Sequence, residues 1–220
     1  MSLSIFRKLA SYLADFRFEV YLVGGAIRKQ LLFETITDYD LATPNDVSEL
    51  QGKVSKLNLS FKKYGSATFE YEGIKFQITT FRKESDYQDF RHPKEIIFTK
   101  SMEEDSFRRD FTINALYMDQ DERIYDFHHG MKDLKKRLLR FIGDPETRCK
   151  EDPLRIIRLL RFSIDESLSI ETNSFDAALK NAFLISYLRQ EKIKEEFKKF
   201  RKMPPSDHVL WIEITKYSSL

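Results

Sequence analysis

Three groups of side chains in this 220-residue chain have types and spacings that could do chemistry. The first is Gly24-Gly25, then Arg28, then Asp38-Tyr39-Asp40. Two aspartates two apart on a strand point to the same face, so their carboxylates converge. Left alone they would repel. A divalent cation relieves that, and Mg²⁺ suits a few carboxylates completed by substrate phosphate oxygens. A glycine turn opening a helix offers unpaired backbone N–H groups and the positive end of a dipole, which suits a triphosphate. Arg28, one turn into that helix, would reach the same phosphates. An isolated D-x-D is common and reads equally as two exposed acids in a loop; the glycines and the arginine ahead of it sharpen the reading.

The second group is Arg108-Arg109-Asp110-Phe111-Thr112-Ile113-Asn114-Ala115-Leu116, and the third Glu151-Asp152-Pro153-Leu154-Arg155-Ile156-Ile157-Arg158-Leu159-Leu160-Arg161-Phe162. On a helix Asp152 and Arg155, three apart, would be neighbours, with Arg158 and Arg161 continuing one row. Leu154, Ile157 and Leu160 form a second row for the core. The plain alternatives are a surface ion-pair cluster and an amphipathic helix whose salt bridges contribute little.

The elements that must position these groups are legible in outline. Residues 3–15 have helical period, with Ile5, Leu9 and Leu13 spaced by four. Phe18–Val23 reads as a strand, the two glycines as a tight turn, and Ala26–Leu32 as a helix. Asp38–Thr43 is a second strand, followed by a helix after Pro44 that Asn45 or Asp46 would cap. Residues 59–64, 66–72 and 74–81 read as strands, the last two joined through Glu72-Gly73. A polar, flexible stretch from Arg82 to Pro93 precedes a strand at Glu95–Thr99, and helical patterns dominate from Asp105 to the end. The expected fold class is α+β, a head with a small mixed sheet over residues 1–120 and an all-helical neck over 121–220.

Composition limits the alternatives. Hydrophobic residues make up 41 % of the chain and charged residues 33 %, with 37 basic and 35 acidic side chains. That is enough apolar material for a core, which argues against disorder. No run approaches the roughly 18 apolar residues of a membrane span, and Arg7, Lys8 and Asp15 make the start an amphipathic helix, so no membrane partner is expected. The expected location is the cytoplasm. The lone Cys149 excludes an intrachain disulfide. His128-His129 is a poor metal site, because adjacent histidines point apart and no other ligand stands at the right spacing. Local charge is less even: Lys132–Arg161 holds ten Lys/Arg against five Asp/Glu, and Arg189–Lys202 seven against three. Such runs are either solvated helix faces or a surface for nucleic acid.

Taken together the motifs resemble the class II nucleotidyltransferases, the tRNA CCA-adding enzymes and bacterial poly(A) polymerases. LVGGAIRKQLL…TDYDLAT resembles that family's metal-binding motif, FRRDFTINALYMD its ribose-binding motif, YDFHHGMKDLKKRLLRFIGDP its linking segment and EDPLRIIRLLRF its base-reading motif. ITTFRKESDYQDFRHPKEIIFTKSMEED is similar to the segment carrying its flexible loop. The resemblance runs in the family's order from about residue 18 to 202. It implies a polymerase-β-like nucleotidyltransferase head in which Asp38 and Asp40 are catalytic and hold two Mg²⁺ ions. By the same resemblance Gly25 and Arg28 hold the triphosphate, Arg109 and Asp110 contact the sugar, and Asp110 accepts from the ribose 2′-OH. Asp152 and Arg155 read the base, and Arg158 and Arg161 support the base site. The substrates implied are CTP, ATP and the 3′ end of tRNA.

The chemistry of the third group adds an argument of its own. A carboxylate only accepts hydrogen bonds and a guanidinium only donates. Cytosine and adenine each present an amino donor beside a ring-nitrogen acceptor, which Asp plus Arg can match. Uracil and guanine present a carbonyl beside an N–H, so the pair faces like with like. Each buried polar group left unpaired costs about 1–3 kcal/mol. Asp152 and Arg155 therefore predict a preference for CTP and ATP over UTP and GTP.

Three features depart from the resembled pattern. Gln77 stands where nucleotidyltransferases usually carry a third acid, which puts metal affinity or rate in question. Lys29 stands where an aspartate commonly follows the arginine. The chain stops where relatives of the resembled family continue into helical domains that grip tRNA, and the sequence leaves open the oligomeric state and whether a dimer or helper chain supplies that grip. The leading expectation is CCA addition or repair at tRNA 3′ ends. A-only addition and poly(A) synthesis share these motifs, and a catalytically weakened nucleotide- or RNA-binding module is the rival of another class. The segment from Phe81 to Asp105 is not shortened, and by the resemblance that argues mildly against a CC-only enzyme.

Overall fold

The computed structural model describes residues 3–87 and 93–218. The chain divides into two compact units. The first comprises the chain up to Glu84, Ile96–Arg109 and Ile113–Met131; the second comprises Ser85–Glu95, Asp110–Thr112 and the chain from Lys132 onward.

In the first unit α1 (Leu3–Ala14) buries Ile5, Leu9 and Leu13 as their spacing predicts, together with Phe6 and Ala10. The sheet strands are β1 (Tyr21–Val23), β2 (Tyr39–Thr43), β3 (Ser55–Asn58), β4 (Ser66–Tyr71) and β5 (Ile74–Thr80). Two more, β8 (Leu116–Met118) and β9 (Ile124–Asp126), complete a seven-stranded sheet of order β3-β4-β5-β2-β1-β8-β9. Only β2 and β5 pair in parallel; the other neighbours are antiparallel. Period-two alternation sends Tyr39, Leu41, Phe76 and Ile78 into a core with Leu9, Leu13, Leu22, Ile27 and Phe69. The opposite face carries a smaller cluster of Val23, Ala42, Phe81 and Tyr117. Helix α2 (Gly25–Leu31) leaves β1 through the glycine turn, as expected.

Several expectations need correction. The helix after Pro44 is a single 3₁₀ turn, Val47–Leu50; Asp46 does cap it, accepting from the Ser48 amide while Glu49 reaches back to the Asp46 amide. Residues 59–64 do not form a strand. β3 lies earlier, and the Asn58 side chain accepts from the Ser60 amide, a turn that ends the strand, with a 3₁₀ turn following at Lys62–Tyr64. The stretch expected to be flexible begins as a strand, β6 (Arg82–Tyr87), paired with β7 (Pro93–Phe98); residues 88–92 lie outside the described residues. The region from Asp105 is not uniformly helical. After the short helix α3 (Met102–Ser106), the buried run Ala115–Met118 is too short for a helix and satisfies its backbone beside β1.

The neck expected to be all-helical over 121–220 is not: β9 falls within it and belongs to the first unit's sheet. The second unit, though mainly helical, holds a two-residue parallel pairing of β10 (Leu138–Leu139) with β11 (Ser169–Ile170), a bridge between Phe111 and Phe141, and the Ser85–Glu95 parts of β6 and β7. Its helices are α4 (Gly130–Lys135, begun at the end of the first unit), α5 (Pro145–Glu151), α6 (Leu154–Asp165), α7 (Thr172–Lys180), α8 (Gln190–Phe197) and α9 (Val209–Tyr217). Helix α5 packs on α7, and α6 on α8 and α9. The α6 row Leu154, Ile157 and Leu160 is buried as expected, and Ile156 and Leu159 with it. Asp165, at the end of α6, is buried; its Oδ1 accepts from the backbone amides of Arg201 at 2.9 Å and Lys202 at 3.0 Å, pinning the chain that leaves α8. Asp165→Ala strands both amides and should lower stability by about 2 kcal/mol, measured by urea denaturation. A change under a few tenths would show that these bonds contribute nothing net.

Candidate active-site residues

Asp40 sits at the open end of β2 and Asp38 one residue ahead of the strand; both are exposed. Tyr39 between them is buried, so the pleat sends the two carboxylates to the face opposite the main core. In the β2–β5 register Asp40 faces Gln77, also exposed, and Gln77 in turn faces Thr68 on β4. The structure thus puts a neutral amide beside Asp40. Among the described residues no three His, Cys, Asp or Glu side chains converge as a metal-ligand set. The aspartate pair nevertheless fits Mg²⁺, which keeps several waters and takes one or two carboxylates together with substrate phosphates.

The glycine turn is demanding. Gly24 has φ +64° and ψ −118°, outside what side-chain-bearing residues adopt, and its amide donates to the Leu116 carbonyl at 3.3 Å. Gly25 then opens α2. Arg28 is buried, with its guanidinium donating to Asn114 Oδ1 and its backbone amide to the Gly24 carbonyl. Arg28 is thus positioned by the second motif rather than waving in solvent. Sequence reasoning missed Asn114 as a partner, because 86 residues separate the two. Lys29 donates to the Thr37 hydroxyl, which donates to Asp38 Oδ2 at 2.7 Å.

Arg109 belongs to a buried network around Asp105. Asp105 Oδ2 accepts from Arg109 at 3.1 Å and from the Tyr117 hydroxyl at 2.6 Å; Oδ1 accepts from Arg108 at 2.8 Å and from the Arg82 amide at 3.0 Å. Arg109 also donates to the Tyr117 oxygen at 2.8 Å and lies over that ring. Burial alone would raise the Asp105 carboxyl; Arg108, Arg109 and the Tyr117 hydroxyl outweigh it and hold the group down at about 2. Burial pushes the Tyr117 phenol above its ordinary value, and Asp105 adds to this. Asp105 stands three and four residues before the two arginines, a local spacing that signals these ion pairs in the sequence itself.

The remaining residues lie in the second unit. Asp110 Oδ2 pairs with Arg158 at 2.5 Å, and its Oδ1 accepts from the Phe111 amide. Burial alone would weaken the Arg158 charge; Asp110, then Glu196 and Asp152, outweigh it and raise its pKa. Asp152 is not on the base-reading helix. It caps the end of α5 with extended backbone, because Pro153 disfavours helical geometry in the residue before it, and Oδ1 accepts from the Leu154 amide at 3.1 Å. Arg155 is buried on α6, and both protons of its Nη1 are engaged, by Glu151 at 2.5 Å and by the Arg148 carbonyl at 3.1 Å. Arg161 donates to Glu196 at 2.8 Å and lies over Phe162. A small cleft beside Asp152 and Arg158 is lined further by Leu154, the acids Glu195 and Glu196 and the lysines Lys192 and Lys199. Cys149 is buried, and burial pushes its thiol up to about 12, so it is unreactive at neutral pH. His128 donates to or accepts from Ser106 at 2.7 Å, a structural contact.

A mixed sheet with a glycine turn and two aspartates at the end of a central strand defines the chain as a nucleotidyltransferase-type head. Residues 20–140 match the Poly A polymerase head domain, and the chain belongs to that family. It is 41 % identical over 190 residues to the CCA-adding enzyme of Lactobacillus helveticus, covering 85 % of this chain and 47 % of the relative. It is 38 % identical over 182 residues to that of Staphylococcus saprophyticus, covering 83 % and 46 %. The chain thus spans about half the length of the curated relatives it matches. Its fold is similar to that of the Bacillus stearothermophilus CCA-adding enzyme in complex with CTP, with TM-score 0.82, 29 % identity, 91 % of this chain covered and 49 % of the other. A Thermotoga maritima CCA-adding enzyme complexed with tRNA-CCA shares the fold at TM-score 0.77 and 22 % identity, covering 98 % of this chain and 50 % of the other.

The Asp105 network generates a pH prediction. A depressed carboxyl contributes stability that is full above the unfolded value near 4 and is lost as pH falls through about 2. Asp105→Asn should therefore lower stability by about 2 kcal/mol at pH 7, with the gap to wild type narrowing below about pH 4. Chemical denaturation at pH 7, 5, 4 and 3 checks this, and a gap independent of pH would contradict it.

Proposed function

We propose that this chain carries the catalytic head and base-recognition segment of a Mg²⁺-dependent tRNA nucleotidyltransferase that adds CMP and AMP, from CTP and ATP, to tRNA 3′ ends. The observation that carries the reading is the pair of exposed carboxylates, Asp38 and Asp40, at the end of the strand next to the Gly24-Gly25 turn. Membership of the head-domain family and relatives named CCA-adding enzymes support the same reading. Solved relatives hold CTP, an ATP analogue with primer tRNA, and tRNA-CCA, which supports nucleotides and tRNA as partners here. No helix of the described residues is long and apolar enough to cross a membrane, and we place the reaction in the cytoplasm with its RNA and nucleotide substrates.

In this mechanism Asp38 and Asp40 hold the metal. When bound, Mg²⁺ supplies activation of the RNA 3′-hydroxyl and neutralises charge on the α-phosphate and departing pyrophosphate. The backbone at Gly25 and the Arg28 side chain hold the triphosphate, and Asn114 fixes Arg28 so that little side-chain entropy is lost on binding. Arg109 supports the sugar side from its fixed place on Asp105 and Tyr117. Asp110 is the acceptor for the ribose 2′-OH and is presented by Arg158. Asp152 accepts the exocyclic amino proton of cytosine or adenine, and Arg155 is the donor to the ring nitrogen. Arg158 and Arg161 add positive potential on the α6 side.

The test uses tRNAs ending at the discriminator base, after CC and after CCA, with Mg²⁺ and labelled CTP and ATP, resolved at single-nucleotide length. Addition of CCA followed by a stop is expected. A on the CC end alone would mean an A-adding enzyme, and a long A ladder a poly(A) polymerase. Asp40→Asn should lower incorporation at least about 10³-fold with the fold intact; activity surviving it would sink the site. Asp152→Ala should erode the preference for CTP and ATP over UTP and GTP by about tenfold or more, and unchanged selectivity would refute the base-reading role. Gln77 beside Asp40 favours one second reading, a weakened nucleotide-binding module, which predicts Mg²⁺-dependent nucleotide binding without product.

A further inference from the structure

Two features of the first unit reduce the negative charge around the aspartate pair, and they are independent of each other. One is Gln77. It is the cross-strand partner of Asp40 in the parallel β2–β5 ladder, where strands lie about 4.8 Å apart and partners share a face. It is exposed on that face, so the position that could contribute a third carboxylate contributes an amide. The other is Lys29. Its ammonium donates to Thr37, and the Thr37 hydroxyl donates to Asp38 Oδ2 at 2.7 Å, which leaves a cation two hydrogen bonds from that carboxylate. The Thr37 bond also uses one of the acceptor sites that a metal would otherwise occupy.

Mg²⁺ gives up its hydration shell reluctantly and is held through charge. Two carboxylates, one of them facing a lysine through a hydroxyl, offer a bare cation little reason to leave water. A nucleoside triphosphate brings the missing negative charge in its own oxygens, and the same lysine then favours rather than opposes the incoming complex. We infer that this site is charge-poor by construction and takes up its divalent cation as a metal–nucleoside triphosphate complex, with Gln77 and Lys29 setting that dependence. The inference rests on the assignment of Asp38 and Asp40 as the metal-holding pair.

The experiment uses the full chain and two readouts, neither of which is catalysis. The first is Mn²⁺ alone, titrated and followed by electron paramagnetic resonance. Wild type should bind Mn²⁺ weakly. Gln77→Glu should tighten binding about tenfold by adding a third charged ligand, and Lys29→Met about threefold by removing the opposing cation. Asp40→Asn introduced into Gln77→Glu should cancel the gain. Gln77→Asp is the second variant if the glutamate fails to fold, as judged by thermal unfolding. The second readout is CTP binding with Mg²⁺ and with EDTA, in wild type and in Asp40→Asn. Mg²⁺ should tighten CTP binding in wild type and not in the variant. If Asp40→Asn leaves that tightening intact, the metal-site assignment falls, and the inference with it. If Asp40→Asn abolishes it but Gln77→Glu and Lys29→Met leave Mn²⁺ binding unchanged, only the inference is overturned. Tight Mn²⁺ binding by wild type without nucleotide would overturn it as well.

Discussion

The parallel pairing of β2 with β5 is the constraint on which the candidate site depends. It sets β2 inside the sheet, with β5 on one side and β1 on the other, so its alternate residues have no freedom of direction. Tyr39 and Leu41 must enter the main core, and Asp40 must therefore face the other way. A one-residue slip would bury the carboxylate and expose the tyrosine. The β1–β2 pairing likewise sets the glycine turn, which leaves β1 after Val23, next to the acidic end of β2. The apolar side of the sheet thus fixes the register of the polar side.

The arginines obey a second regularity. Arg109 is held by Asp105 and Tyr117, Arg158 by Asp110, Arg155 by Glu151 and Arg161 by Glu196. These are charge-assisted bonds at partly or fully buried positions, where geometry is held more firmly than on a solvated surface. Their effect is to spend the orientation entropy of each guanidinium at folding, so that a substrate meets fixed donors. The aspartate pair is the contrast: its two carboxylates are exposed, and Asp40 faces an amide rather than a third acid.

Much of the site was legible because its parts are local. The alternation around Asp38 and Asp40, the glycine turn before α2 and the apolar row of α6 all follow from short-range periodicity. What was not legible is long-range or depends on a neighbour's preference. The Arg28–Asn114 contact joins residues that share no pattern. β8 and β9 are three residues each and become strands because β1 offers β8 an edge and β8 in turn offers one to β9. Asp152 reads as helical from its spacing to Arg155, yet Pro153 pulls it into extended backbone at the end of α5. That last point was available in the sequence, since the restriction imposed by proline is local.

The central claim is that Asp38 and Asp40 mark the place where divalent cation and nucleotide phosphates meet. Anomalous scattering from crystals of the chain grown with Mn²⁺ and a non-hydrolysable CTP analogue tests it most directly. The account predicts manganese peaks against the Asp38 and Asp40 carboxylates, with the triphosphate completing the coordination beside Gly25 and Arg28. Manganese bound elsewhere, or nucleotide bound with no metal at these two aspartates, would contradict it.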